Sequence, residues 1–468
     1  MNKAEIFYKD IGDCLSREEK LRLVKEAKSA LNPEFLAGMG RIEPNEHGDW
    51  VNMRSSGFGG LIPVAPEKKF DLKTQSFFVV NAIGVATNRD IWVYNFSENS
   101  LKNNMKTMVD FYNEQRKTIE SKREKDHNVN IDDYIDTDYQ KINWTVNLKK
   151  DIENNVAHKF DENVIKTGLY RPFTRMNLFF DTNFIERPGI WSKLSPTEDN
   201  DNLFICLTGI GVNKEFSAII TNVLPDLQLI ANGQCFPLYH YDKKPIIPTN
   251  LFEDVSADYV RRDAVSDFIL SQSQSRYGPM VTKEDIFYYV YGLLHSPDYR
   301  TVFAGDLKKM LPRLPLLEKP ADFWAFSKAG RELADLHLNY EDVPAPDDVL
   351  INGKPASKAS FSAGALRVQK MKFPEKGKKD TIVYNPYITV SNIPPAAYDY
   401  VVNGKSAIEW VMERYAVTTH KDSGITNDPN DWAEEHENPR YILDLLLSVI
   451  GVSVKTVALV AGLPGLAL

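Results

Sequence analysis

The first regular pattern along the chain is helical. Ser16 and Glu19 form a capping box that satisfies the free amides of a helix start, and Leu21, Val24, Ala27 and Leu31 follow at helical spacing. A helix is predicted over about 17–31. Residues 58–96 switch to short apolar runs bounded by turn residues, predicting strands at 61–64, 76–80 and 91–94 with Asn88-Arg89-Asp90 in the last turn. The helical period returns over 101–124, where Met105, Met108, Val109, Phe111 and Tyr112 make a stripe. Charges of both signs then crowd 121–138, a solvated face or linker, so a boundary is expected near 130–150. Short strands dominate 142–241, clearest at 202–207 and 216–221. Residues 253–312 read as helical, with a cap at Thr282 and a buried stripe of Ile286, Tyr289, Val290, Leu293 and Leu294. A β section over about 382–390 and a helix over 407–414 follow. The pattern predicts an α+β fold, a strand-rich lobe flanked by helical segments.

Composition narrows the class. At 468 residues the chain is long for one ordinary core and suggests two or three lobes. Its three cysteines, Cys14, Cys206 and Cys235, lack the spacing of a disulfide framework or a zinc site, which fits a reducing cytoplasm. The opening residues carry charges where a secretory signal needs an apolar run. The one long apolar stretch, 441–468, is interrupted by Asp444 and Lys455 and broken at Gly462-Leu463-Pro464-Gly465. A membrane span needs about 20 mostly apolar residues in a row. The stretch therefore reads as a buried terminal helix, with a partner-docking surface as the alternative, and no membrane is expected. The abrupt start, one short strand before a helix, reads as the downstream part of a longer protein.

Charge picks out one region. The chain is formally at −8, yet 166–193 carries Lys166, Arg171, Arg175, Arg187 and Lys193 against Asp181 and Glu186, with arginines alternating with aromatics on what reads as two strands joined by a turn. A cationic strip on an acidic protein suits a polyanion, because each phosphate contact releases condensed counterions. The same residues would equally staple strands, a guanidinium lying over a ring or on a carboxylate. Tyr170, Phe173, Phe179 and Phe180 are expected in the core, where each ring contributes roughly 1.5–3 kcal/mol on burial. Tyr291 and Tyr299 also read as structural, and Arg300 as exposed.

The blocks in this region and beyond it resemble a known family. Tyr170-Arg171-Pro172-Phe173 with Arg175, followed by Arg187-Pro188, resembles the block that marks the C-terminal specificity region of Type ISP restriction-modification enzymes and related helicase-methyltransferase fusions. Phe236-Pro237-Leu238-Tyr239, the 289–300 run ending Leu294-His295-Ser296-Pro297-Asp298-Tyr299-Arg300, and Pro312-Arg313-Leu314-Pro315 resemble further blocks in family order. So do the 84–92 segment around Thr87-Asn88-Arg89-Asp90, the 403–410 block and the 427–432 block. The resemblance implies a linking segment (1–140) after a methyltransferase core, a target recognition domain (141–400) and a helical tail (401–468).

What the resemblance implies is recognition of double-stranded DNA by a chain that catalyses nothing alone, its parent being an adenine-specific DNA methyltransferase. The upstream methyltransferase domain is the expected protein partner. S-adenosylmethionine and ATP are expected only for the parent enzyme, and no cofactor for this chain. The residues agree. Asn385-Pro386-Tyr387 and Asn392-Ile393-Pro394-Pro395 both depart from the Asn/Asp-Pro-Pro-aromatic loop of amino-methyltransferases, and no G-x-x-x-x-G-K-[ST] loop occurs. Thr208-Gly209-Ile210-Gly211 invites a dinucleotide reading, but Lys214 stands where the third glycine belongs. Arg171, Arg175, Arg187 and Lys193 are the expected DNA contacts, Asn213 and Lys214 the weaker candidates for base reading, and Arg300 a further one. Asn88 and Arg89 are expected at the DNA backbone or the catalytic domain. The competing function is a scaffold that docks on a partner through its apolar C-terminus.

Overall fold

The computed structural model describes residues 5–12, 15–29, 32–51, 53–126, 128–197, 201–244 and 259–466. The first helix, Arg17–Ala27, has the predicted capping box, but its stripe is not buried: Leu21 and Val24 are 57% and 64% exposed. A short antiparallel pair, Ile6–Tyr8 with Gly40–Ile42, accompanies it.

The centre of the molecule is two four-stranded sheets. The first runs Leu224–Pro225, Ile165–Arg171, Thr174–Phe179, Tyr94–Asn95, with its one parallel pair at the 224–225 edge. Its hairpin is set by Pro172 and Phe173: proline fixes the first turn residue, and Phe173 takes a left-handed φ of 59°. That backbone costs a bulky residue about 1–2 kcal/mol. Burial offsets it, because the Phe173 ring is fully enclosed with ring centroids of Tyr340 and Tyr400 at 5.3 and 6.0 Å. Phe179 is likewise buried, while Tyr170 and Phe180 are half-buried against the same core.

The second sheet, Ala82–Ile83, Gln234–Pro237, Phe204–Leu207, Ala218–Thr221, is antiparallel throughout. Its strands are almost wholly apolar, Gln234 and Thr221 at strand ends excepted, because both faces are covered. Successive side chains point to opposite faces of a strand. Phe204 and Cys206 thus join the core that holds the arginine hairpin and the C-terminal elements, whereas Ile205 and Leu207 join a second core under the helices of 267–338. One sheet therefore serves two cores.

In the second core, helix Lys283–Leu293, started by the predicted Thr282 capping box with Asp285, packs along helix Pro320–Leu338. Gly292 and Gly330 permit this: a Cβ on either would run into the main chain of the facing helix. Tyr291 and Tyr299 are fully buried, as expected. Three expectations are corrected. Residues 91–93 form the end of a short helix, Asp90–Val93, and only Tyr94 of the expected strand is in one, because the three apolar residues of the helix pack inward without needing a period of two. Residues 76–80 run through the core with only isolated bridges at Phe78 and Val80. Part of the expected 253–312 helical region is a strand, Tyr259–Asp263, paired with Tyr239–Lys243, and residues 253–258 lie outside the described residues.

The terminal helix, Tyr441–Ala461, is long and apolar enough to cross a membrane, but 67% of its apolar window is buried inside the protein. It packs on Ala407–Arg414 and Pro320–Leu338, and Ser448 donates to the Glu341 carbonyl at 2.8 Å. It is a core helix. The apolar docking face of the scaffold alternative is thereby taken up within the fold.

Candidate nucleic-acid interface

Several sequence-distant segments meet at a cleft of about 490 Å³. The joining segment 85–91 makes one wall, Tyr170 of the hairpin and the 226–228 turn make another, and Tyr139, His420 and Asn427 complete it. The segment is shaped by Asn88, which adopts a left-handed φ of 52°, a conformation asparagine tolerates well. Thr87 donates its hydroxyl to Asp90 and accepts the Arg89 amide at 3.2 Å, so the loop is locked by its own side chains.

Arg171 extends from the hairpin behind this wall. Its Nη1 donates to Asp226 Oδ1 at 2.7 Å, its Nη2 lies 3.5 Å from Asp90 Oδ2, and the guanidinium lies 3.9 Å from the Tyr170 ring centroid. Asp226 is 2% exposed. Burial, with Asp90 nearby, pushes its pKa up to about 7, and Arg171 works against that rise. Arg175 is spent in a similar way: Nη1 donates to Glu341 at 2.5 Å and Nη2 to the Leu338 carbonyl at 3.2 Å. The expectation that both arginines stand free is corrected: Arg171 pairs with the buried Asp226 carboxylate, and Arg175 with Glu341, which also accepts from the Tyr441 hydroxyl at 2.8 Å.

Arg89 is also interior. It is 1% exposed, donates from Nη2 to the Thr145 hydroxyl at 2.5 Å, and leaves Nε and Nη1 without a hydrogen-bond partner. Burial lowers its pKa to about 10, with Glu186 acting in the opposite sense. Arg300, expected on the surface, is half-buried, donates from Nε to the Leu294 carbonyl at 2.7 Å, and lines a separate cavity of about 360 Å³ with His295 and Tyr400.

The solvent-facing candidates are different residues. Arg187 is exposed, and its main chain bridges to Ala86, a residue of the cleft wall. Lys193 is exposed on a helical turn, Trp191–Leu194, with Nζ 5.5 Å from the Phe70 ring centroid. Asn213 and Lys214 are exposed in a loop that meets Gly404. The structure therefore places Asn88 and Arg89 in the cleft lining, Arg171 behind it on Asp226 and Asp90 and Arg187 against the main chain of Ala86, while Lys193, Asn213, Lys214, Arg175 and Arg300 stand elsewhere.

Asp226, Gln228, Tyr139 and His420 escape sequence reading because no spacing links them. Asn427 falls in a recognisable block, but nothing there separates it from Asn430, whose side chain instead staples Val368 through both its amide and its carbonyl.

The hairpin, the doubly buried sheet and the polar cleft define a mixed helix-and-strand specificity domain. The chain belongs to the Type ISP C-terminal specificity domain family, whose pattern matches residues 76–445. Among solved structures it is similar to a nuclease-deletion mutant of the Type ISP restriction-modification enzyme LlaGI in complex with a DNA substrate mimic, at 36% identity and a TM-score of 0.81, over 99% of this chain and 39% of that one. The ATP-dependent Type ISP enzyme LlaBIII bound to DNA matches with the same identity, TM-score and coverage of this chain, over 28% of its own length. A DrdV–DNA complex matches at 27% identity and a TM-score of 0.78, over 99% of this chain and 44% of that one. The chain thus spans less than half the length of these relatives. No curated protein matches it.

Proposed function

We propose that this chain is the target recognition portion of a Type ISP-like restriction-modification enzyme and binds duplex DNA sequence-specifically. The observation that carries the reading is similarity along 99% of the chain, at 36% identity, to two Type ISP enzymes captured on DNA or a DNA mimic. Asn88 in the cleft and Arg187 beside its Ala86 wall, with the exposed Lys193, Asn213 and Lys214, are the proposed contacts. Phosphate contacts set orientation and salt dependence, and side chains that reach base edges choose the sequence at about 1–3 kcal/mol per good bidentate pair. Arg171, Arg175 and Arg89 act from behind by holding the hairpin and the joining loop in shape.

In this reading the chain carries no cofactor. S-adenosylmethionine and ATP belong to a methyltransferase and a translocase elsewhere in the parent, which would methylate adenine, and the setting is the cytoplasm. The test is titration of the chain with random-sequence duplex across a salt series, followed by selection from a random duplex library. Binding that weakens steeply with salt, together with an enriched sequence, is expected. A chain that captures no duplex at low salt would overturn the reading.

A further inference from the structure

A dense cluster of positive charge lies outside the arginine hairpin. Residues 370–379 hold Lys370, Lys372, Lys376, Lys378 and Lys379 against a single Glu375, and all five lysines are exposed. Only Lys379 has an ion-pair partner among the described residues, Glu409 at 2.9 Å.

The local fold presents these charges rigidly. Met371 is buried and Phe373 half-buried, so Lys370 and Lys372 alternate with them and project from the opposite side. The backbone of Lys372 exchanges both hydrogen bonds with Val383, at 3.1 and 2.9 Å, pinning the segment to the free edge of strand Thr381–Val383. Gly377, with φ of +88°, then turns the chain so that Lys376 and Lys378 stand at the tip. The residue preceding the segment is tied to an element that leads to the cleft: the Val417 amide donates to the Gln369 carbonyl at 3.0 Å, and the following hairpin, Thr418–Thr419 with Thr426–Asn427, carries His420 and Asn427 into the cleft wall.

We infer that this lysine loop is a second, sequence-independent contact with duplex DNA, gripping phosphates beside the bases that the cleft side reads. The inference rests on the DNA-binding reading above. Lysine suits the task because it is a compact point charge on a flexible stem, which meets phosphates without the planar fork used to read bases. Lysines also guard free strand edges against aggregation. That role accounts for Lys372 but not for Lys376 and Lys378, which lie beyond the paired edge.

The experiment compares the full chain with a variant carrying Lys370→Gln, Lys372→Gln, Lys376→Gln and Lys378→Gln, by fluorescence anisotropy with a random-sequence 30-base-pair duplex across a salt series. A control removes equal charge from helix Glu98–Arg123 and the turn that follows it through Lys106→Gln, Lys117→Gln, Lys122→Gln and Lys125→Gln. The loop variant is expected to melt as the wild type does, and to lose about 0.9 in the slope of log affinity against log salt for each phosphate contact removed. The control should keep the wild-type slope. A loop variant with the wild-type slope overturns the inference while leaving the DNA-binding reading intact, and assigns the lysines to edge protection or another acidic partner. An equal change in the control overturns it as a net-charge effect. A wild type that binds no duplex removes both.

Discussion

Two cationic regions of this domain carry opposite kinds of charge. The hairpin of 165–179 holds arginines in a recognisable family block, and its two arginines are engaged with Asp226, Asp90 and Glu341. The loop of 370–379 belongs to none of the recognised blocks, and four of its five lysines have no ion-pair partner among the described residues. The contrast teaches that a conspicuous arginine pattern is a record of what the fold needs, whereas charge available to a partner is found where the fold makes no use of it. Charge count alone ranks the two regions; burial separates their roles.

The sharpest way to break this comparison is Arg171→Ala. It leaves the Asp226 carboxylate buried without its cation, and removing one member of a buried pair costs about 3–5 kcal/mol. Thermal melting should show that loss, with duplex affinity falling only in proportion to the folded fraction. An unchanged melt with lost binding would return Arg171 to the DNA surface. Phe173→Ala, which empties the ring's site among Tyr340 and Tyr400, should cost a similar 3–5 kcal/mol in the same assay.

A smaller effect is tied to pH. Asp226 has its folded pKa raised to about 7, above the ordinary carboxylate value, so between roughly pH 4 and 7 the folded state binds more protons at this group than the unfolded chain. Its contribution to stability is therefore present at low pH and lost as pH rises through 7. Comparing melts at pH 5 and pH 8 for wild type and Asp226→Asn should show the wild type losing more on the move to pH 8.

The least effect on stability is expected at the exposed end of the hairpin region. Arg187→Gln and Lys193→Gln should each shift stability by no more than about 0.5 kcal/mol. Each should reduce the salt slope of duplex binding by about 1 if it meets a phosphate. A stability loss as large as that of Arg171→Ala would erase the distinction between the two kinds of charge.

Local chemistry made much of the fold legible. The Ala407–Arg414 helix starts at Ser406, whose capping box with Glu409 marks the boundary, and Pro172 marks the hairpin turn between the two strands. The 91–94 run was misread because four consecutive apolar residues carry no period that separates a helical turn from a strand. The helix Pro320–Leu338 went unread for a related reason, its N-cap Lys319 offering no side-chain acceptor. The cleft was legible only in part. Asn88 and Arg89 stood out in a block, but the partners of Arg171 lie 55 and 81 positions away, and only the sheet geometry brings them within reach.

The strand Phe204–Leu207 has a consequence for how the molecule gives way. Because neighbouring residues on it anchor different interiors, neither half can loosen without exposing the reverse side of the partition it shares with the other. Heating should therefore dissolve both halves in a single step, and a cut anywhere in that sheet should leave neither piece able to stand alone.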